Sequence, residues 1–309
     1  MSARARLRLG TRGSDLARTQ SATIAEALER LGFAVELVII KTSGDRNTTS
    51  SFASIGPQGV FVREIEQALV ERRIELAVHS FKDLPTKSPE ELTIGAVPAR
   101  VDPADLLLVR RGAVAGAPGD WLPLAAGARV GTASARRRAW LHHFRPDLAV
   151  EPLRGNVPTR VRRLEEGGFD AIVLAAAGVE RLQAEQRLGS KLRDVAVLRL
   201  DPDRFVPAPA QGALAVQCRR DDARVLEALA ELDDAPSRAA VAAERSALAR
   251  AEGGCDVAFG AHAVAAGDER TLVAMLERNG TVHIARAVGS DPASLAAAVW
   301  AKLEEATRP

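Results

Sequence analysis

Leu76-Ala77-Val78-His79-Ser80-Phe81-Lys82-Asp83-Leu84-Pro85-Thr86 is the stretch from which the fold of this chain is read. Leu76 to Val78 form a short apolar run with the composition of a buried strand, and Pro85 stops any helix from carrying the polar tip away. Lys82 and Asp83 are thereby fixed side by side at a strand end, where open α/β sheets hold their ligands. A carboxylate there can hold positive charge developing on a substrate, and the ammonium beside it can pair with a substrate acid. A surface turn with a solvated ion pair is the other reading of the same residues. The flanking sequence has to choose between them.

Upstream, Leu7-Arg8-Leu9-Gly10-Thr11 predicts a first strand and Arg12-Gly13-Ser14 a turn. Leu16, Ala17, Ile24, Ala27, Leu28 and Leu31 then mark one face of a helix that Ser14 is placed to cap. Strand, small-residue turn and helix N-terminus together make an anion site, because free N–H groups and the helix dipole point the same way. Gly10 and Gly13 lack the remaining spacing of a dinucleotide fingerprint. A plain strand-to-helix turn satisfies the pattern too, although Arg12 within it favours function. Phe33 to Ile40 predicts a second strand. The polar stretch from Lys41 to Gly59 is long for a compact domain and reads as a functional lid or as disorder. A helix over Phe61 to Val70 and a strand over Leu92 to Val97 complete an alternation that predicts a mostly parallel sheet flanked by helices.

The pattern breaks at Ala99-Arg100-Val101-Asp102-Pro103, and a similar unit begins. Arg129-Val130-Gly131-Thr132 repeats the form of Arg8 to Thr11, and Ser134 opens a helix as Ser14 does. Arg136-Arg137-Arg138 follow; on a helix of 3.6 residues per turn all three cannot face bulk water, so at least one of Arg136 and Arg137 faces inward. A solvated or nucleic-acid-facing basic run is the alternative. Leu153-Arg154-Gly155-Asn156, a helix with Arg160, Arg162 and Arg163, a strand over Asp170 to Leu174, and Arg181 on the next helix continue the unit. Arg12, Arg136, Arg137, Arg154, Arg160 and Arg181 all fall at or just after expected strand ends, which converge on one edge of a parallel sheet.

Val206-Pro207-Ala208-Pro209-Ala210-Gln211-Gly212 is a second Pro-rich crossing, followed by a strand over Ala213 to Cys218. The chain is thus expected to leave a first domain, build a second and return, giving a discontinuous domain over 1–99 and 212–232 and a second over 104–206. A third domain is expected over 235–309. It opens with a helix from Ala235 to Ala251, followed by strands at Ala258–Ala265, Thr271–Glu277 and Thr281–Val288 and a final helix from Ser290.

Composition narrows the function. The 309 residues are 47% hydrophobic and 27% charged, an ordinary soluble balance. Eight Phe, three Trp and no Tyr argue against a base-stacking nucleic-acid platform. A net charge of +2 leaves any basic site to be built locally, and the arginine bias suits carboxylate or phosphate clamping. The two cysteines, Cys218 and Cys255, have no metal-type spacing, so neither a metal nor a disulfide framework is expected. Cys255 follows two glycines in a loop, whereas Cys218 lies in an apolar strand as a core thiol. The N-terminus is basic without the apolar core of a signal peptide, and the longest apolar run, Ala171 to Val179, is too short to span a bilayer. A cytoplasmic location is expected.

Six motifs stand in order over nearly the whole chain: Gly10-Thr11-Arg12-Gly13-Ser14 with Leu16-Ala17 and Gln20; His79 to Pro85; Gly131-Thr132 with Arg136-Arg137; Leu153-Arg154-Gly155-Asn156 with Thr159-Arg160; Pro209-Ala210-Gln211-Gly212-Ala213; and Glu252-Gly253-Gly254-Cys255. Together they resemble the porphobilinogen deaminase (hydroxymethylbilane synthase) family. The resemblance implies an α/β fold of two periplasmic-binding-protein-like lobes with mostly parallel sheets, plus a small α+β C-terminal domain. It implies a monomeric transferase of tetrapyrrole and heme biosynthesis that acts on porphobilinogen, with no nucleic-acid or membrane partner. Four porphobilinogens are joined head to tail with loss of ammonia, and the linear tetrapyrrole hydroxymethylbilane is then hydrolysed off. It further implies a dipyrromethane cofactor on a thioether at Cys255. Carried over by motif, Asp83 and Arg12 are catalytic. Ser80, Lys82, Asp83, Thr132, Ser134, Arg136 and Arg137 contact the cofactor. Arg12, Ser14, Phe61, Arg154, Arg160, Arg181 and Gln211 contact substrate.

The residue chemistry agrees with that assignment. Each pyrrole carries an acetate and a propionate, for which forked guanidinium groups are suited partners. A fixed carboxylate against pyrrole N–H groups stabilises cationic charge there. One departure stands out: many family members have a Lys-Val-Gly-Gly-Lys-Gly-Leu-Phe pattern, and here Ser54 and Gln58 replace both lysines in Ser54-Ile55-Gly56-Pro57-Gln58-Gly59-Val60-Phe61. Phe61 keeps its place, as a stacking surface for a pyrrole or as a core residue at a helix start. Two rivals remain. A non-enzymatic two-lobed anion-binding module leaves Cys255 without purpose, and a nucleic-acid binder using Arg136 to Arg138 predicts steep salt dependence.

Overall fold

Leu7 and Leu9 are fully buried with half-buried Arg8 between them, the period-two pattern of a strand covered on one face (β1, Arg6–Thr11). The computed structural model describes residues 6–41, 62–116, 119–186, 188, 192, 194–251 and 258–308. Ser14 ends the following turn and caps α1 (Asp15–Arg30) by accepting the Ala17 N–H at 3.4 Å, with Asp15 favoured in the first turn by the dipole. Ile24, Ala25 and Leu28 of that helix are buried in one cluster with Leu7, Leu9, Leu76 and Val78. The chain continues through β2 (Ala34–Ile39), α2 (Arg63–Val70), β3 (Leu76–Ser80) and β4 (Leu92–Ala96).

Two compact units result: Met1–Arg100 with Ala213–Arg238, and Val101–Gly212 with Ala239–Pro309. In the first, the sheet order is β2-β1-β3-β10-β4, where β10 (Leu214–Arg219) arrives after the chain has returned. β1 is parallel to β2 and β3, while β10 is antiparallel to both of its neighbours. All six residues of β10 are buried, as an interior strand covered on both faces requires.

The second unit repeats this plan. β5 (Asp105–Arg110), β6 (Arg129–Gly131), α3 (Ala135–Phe144), β7 (Ala149–Glu151), α4 (Val157–Glu165), β8 (Ala171–Ala175), α5 (Ala176–Ala184) and β9 (Val195–Leu200) follow in sequence. Its sheet order is β7-β6-β8-β5-β9, with β6 parallel to β7 and β8 and β5 antiparallel to β8 and β9. β5 therefore holds the place of β10, and in each sheet four of five strands run the same way. The parallel-rich α/β architecture expected from the alternation is present in both units. The sequence reading placed no strand at β5 or β9. A four-residue apolar run such as Leu106–Val109 has no period to read.

After α6 (Ala223–Ala230) and α7 (Ala235–Ala251), the strands β11 (Phe259–Ala266), β12 (Glu269–Arg278) and β13 (Thr281–Gly289) form an antiparallel meander, and α8 (Pro292–Ala306) packs on it. Leu272, Ala274 and Leu276 face α7 and α8, in a cluster with Ala243, Ala247, Leu295, Val299 and Leu303. Val273 and Met275, on the opposite face of β12, join Trp140, Phe205 and Leu107 instead. The segment read as a separate third domain thus has its own sheet and core but shares a second core with the lobe before it. That shared core is why the two fall in one compact unit.

Candidate active site

In the first unit the tips of β1 and β3 emerge on one sheet edge, with Gly10 opposite Ala77. Arg12 is half-buried in the turn between β1 and α1. Buried Thr11 holds that turn by donating its hydroxyl to the Ala17 carbonyl at 3.1 Å. Ser80, the last residue of β3, is tied to α1 through Gln20 Nε2 at 2.8 Å. The next three residues, Phe81–Asp83, form a 3-10 turn. Phe81 is buried and donates its N–H to the Ala213 carbonyl at 3.1 Å; Lys82 is half-buried and Asp83 exposed. The tip is rigid below and open above.

Beneath it, His79 Nε2 lies 3.0 Å from Gln217 Oε1, and Gln217 Nε2 donates to Glu66 at 2.9 Å. Burial pushes the imidazole down to about 4, the Gln217 contact opposing the shift and the Arg12 charge adding to it. His79 is therefore neutral at pH 7 and donates from Nε2 to the Gln217 oxygen.

In the second unit the β6–α3 turn mirrors the β1–α1 turn. Thr132 is buried, and its Oγ1 accepts the Ser134 N–H at 3.2 Å; Ser134 in turn caps α3 by accepting the Arg137 N–H at 3.4 Å. The cap fixes the phase of the helix so that Arg136 and Arg137 are buried and Arg138 is exposed. Both buried guanidinium groups meet Asp105, a fully buried carboxylate at the start of β5. Arg136 Nη1 lies 2.8 Å from one oxygen, and Arg137 Nη2 and Nε lie 2.7 and 3.1 Å from the other. Gln211 Nε2 donates to that second oxygen at 3.0 Å. Burial acts to raise the Asp105 carboxyl, but the two guanidinium charges outweigh it and hold the group well below the ordinary carboxylate range.

The remaining donors are directed inward as well. Arg137 Nη1 donates to the Val173 carbonyl and Arg136 Nη1 to the Val206 carbonyl, each at 2.9 Å. All three Arg137 nitrogens are thus engaged within the unit. The expectation that both arginines open onto the strand edge is narrowed to Arg136, whose buried Nε has no hydrogen-bond partner among the described residues. Two guanidinium groups against one carboxylate leave one positive charge in the cluster.

The other arginines stand apart from this cluster in local structure. Arg154 is exposed in the turn before α4, and Arg160 Nε donates back to the Gly155 carbonyl at 2.7 Å. Asn156 caps α4 by accepting the Thr159 N–H at 2.9 Å, and Gly155 has φ +114° there. Arg181 Nη2 donates to the Gly212 carbonyl at 3.1 Å, and burial lowers its pKa. Gln211 also donates to the Pro103 carbonyl at 2.8 Å, so it fastens one crossing segment to the other. Gly212, at φ +88°, lies where a Cβ would sit 2.5 Å from the Val101 carbonyl oxygen, so only glycine fits. Phe61 and Cys255 lie outside the described residues, as do Ser54 and Gln58.

Asp105 is the site residue that sequence reasoning missed. Its one signal was an acid immediately before the apolar run Leu106–Val109, where a buried charge demands a buried partner. Among the described residues no group of three His, Cys, Asp or Glu side chains is placed to hold a metal, and no helix is long and apolar enough to cross a membrane.

A family model described as porphobilinogen deaminase, dipyromethane cofactor binding domain, matches residues 7–227. Porphobilinogen deaminase of Syntrophobacter fumaroxidans is 43% identical over 299 residues, covering 92% of this chain and 92% of that protein. That of Brevibacillus brevis is 44% identical over 295 residues, covering 93% and 90%. Among solved structures, an ancestral cationic amino acid solute binding protein overlays with a TM-score of 0.44 at 17% identity, over 74% of this chain and 87% of that one.

Proposed function

The chain belongs to the porphobilinogen deaminase family, and on that premise we propose that it joins four porphobilinogens head to tail, releases an ammonia for each, and hydrolyses the chain to hydroxymethylbilane. The observation that carries this reading is the buried Arg136–Asp105–Arg137 cluster with its one remaining positive charge and the unpartnered Nε of Arg136. A dipyrromethane bearing acetate and propionate groups fits that donor set, since a buried guanidinium N–H is matched by a carboxylate oxygen. When bound, it supplies a covalent primer for elongation.

The residues proposed to hold it are Arg136 and Arg137, with Thr132 and Ser134 beside them and Ser80, Lys82 and Asp83 on the tip of β3. Its attachment is assigned to Cys255. The chain has two cysteines, and Cys218 is fully buried with its thiol pushed up to about 11, chiefly by burial. A thiol so placed is a poor nucleophile. Cys255 lies beyond the residues that the family model matches, so the assignment rests on the Gly-Gly-Cys motif and on this elimination.

Arg12 and Ser14 stand at the N-terminus of α1, where both the cation and the helix dipole favour an incoming carboxylate. Asp83, exposed on a tip fixed by Gln20 and the Ala213 carbonyl, presents a carboxylate to a substrate pyrrole N–H. It holds the positive charge that develops there once ammonia departs. Arg154, Arg160 and Arg181 are proposed for the carboxylates of the lengthening product, and Gln211 and Phe61 for the substrate. The enzyme is proposed to act as a monomer.

Intact-protein mass spectrometry tests this reading. Purified protein is expected to carry the extra mass of two pyrrole rings and to colour with Ehrlich's reagent, and Cys255→Ala to do neither. Unmodified wild-type protein that remains colourless after incubation with porphobilinogen would overturn it.

A further inference from the structure

We propose that Asp105 is a positioning residue: it presets Arg136 and Arg137 in one geometry and, by neutralising only one of their two charges, leaves the pair ready for a single carboxylate. The inference rests on the acid-bearing ligand proposed above and adds a residue that no motif marked.

Asp105 begins an interior strand of its sheet, with Ala175 opposite it on one side and Leu200 on the other. Its backbone is therefore held from both sides, and its fully buried side chain has nowhere to turn. Arg136 Nη1 forms an ion pair with one carboxylate oxygen at 2.8 Å, while the other oxygen accepts twice from Arg137 and once from Gln211. Gln211 also donates to the Pro103 and Ala104 carbonyls, fixing the approach to β5 from outside the strand. Each guanidinium is further held by a main-chain carbonyl, Val206 for Arg136 and Val173 for Arg137. An arginine clamped in this way loses little freedom when a ligand arrives, whereas an exposed one has to be ordered first.

The charge balance leaves room for an acidic ligand. One carboxylate neutralises only one of two guanidinium groups, and a buried positive charge without compensation is costly. Here the surplus is retained next to an unpartnered, buried Arg136 Nε. A single ligand carboxylate would balance that charge and give the Arg136 Nε an acceptor.

Two variants separate positioning from charge compensation. Asp105→Asn keeps the shape and removes the charge; Asp105→Glu keeps the charge and displaces the oxygens by a methylene. Positioning predicts that both, measured on folded protein, reduce the fraction carrying dipyrromethane by intact mass roughly 10- to 100-fold and raise the KM for porphobilinogen in whatever is loaded. A Glu variant that loads like wild type would reduce Asp105 to a counterion, and a folded Asn variant with unchanged loading and KM and only a lower Tm would reduce it to a stabilising residue. Either result overturns the proposal. Should neither variant fold, Gln211→Met, which removes one bond to Asp105 and leaves every charge in place, is expected to load several-fold less; full loading there overturns it as well. Wild-type protein without dipyrromethane would instead overturn the functional reading.

Discussion

Each of the two five-stranded sheets has one antiparallel strand, next to the edge, and each of these strands carries a buried polar side chain that ties down its neighbours. In the first unit it is Gln217, whose amide joins the uncharged His79 ring to the Glu66 side chain by hydrogen bonds. In the second it is Asp105, in an ionic cluster with Arg136 and Arg137. The same topology therefore supports two ways of burying polar groups. The amide-linked chain pairs its groups with one another and leaves its chemistry to the exposed carboxylate of Asp83. The ionic cluster keeps a positive remainder. One unit presents a reactive tip on a quiet base, and the other has a base that itself attracts a ligand.

The largest effect that sharpens this contrast is expected from Asp83→Asn. Because Asp83 is exposed and belongs to neither network, turnover should fall roughly 10²- to 10³-fold while the bound dipyrromethane, seen by mass, and the Tm stay as in wild type. An active variant would break the contrast by removing the reactive tip.

Acid provides the second test. His79 titrates near 4 in the fold against 6.5 in an unfolded chain, so between these values the unfolded chain binds a proton that the fold refuses. The stability from keeping it neutral is complete above pH 6.5 and is lost as the pH falls towards 4, at most about 3 kcal/mol. Asp105 has the same sign of linkage in a lower pH window: its depressed pKa gives stability that is complete above about 3.8 and fades only below it. All three tryptophans, Trp121, Trp140 and Trp300, lie in the second unit. From pH 6.5 to 4, the protection factors for hydrogen exchange in β3 and β10, corrected for the intrinsic rate at each pH, should therefore fall before tryptophan fluorescence changes. Coincident changes would show that the two bases are equally tolerant of acid.

The smallest expected effect is from Gln20→Ala, which removes the neutral bond to Ser80. Denaturant titration should show a loss of about 1 kcal/mol, the usual net worth of one such bond. A loss on the scale of a broken buried ion pair, about 3–5 kcal/mol, would erase the energetic distinction between the bases.

Much of this arrangement could be read from the sequence because its signals are local. Gly10 to Ser14 specified a strand, a turn and a cap within a few residues, and Arg129 to Ser134 repeated them at the equivalent place in the second sheet. Helical phase alone predicted that Arg136 or Arg137 would turn inward. What was not legible depends on distant partners. Gln217 meets His79 across 138 positions, and Arg137 meets Asp105 across 32, with no local pattern joining them. Missing β5 hid Asp105, and without it the arginines read as open clamps when most of their donors are already engaged.

The late arrival of β10 has a consequence for the nascent chain. In the first sheet β4 pairs with β10 alone, and β3 keeps one edge bare until β10 docks beside it. Since β10 follows the whole of Val101–Gly212, that edge must wait on the ribosome while the second sheet, whose own antiparallel strand is made first, acquires all five members. The lobe begun first is therefore closed last, and stalled or truncated translation products ending before Leu214 should be the aggregation-prone species of this protein.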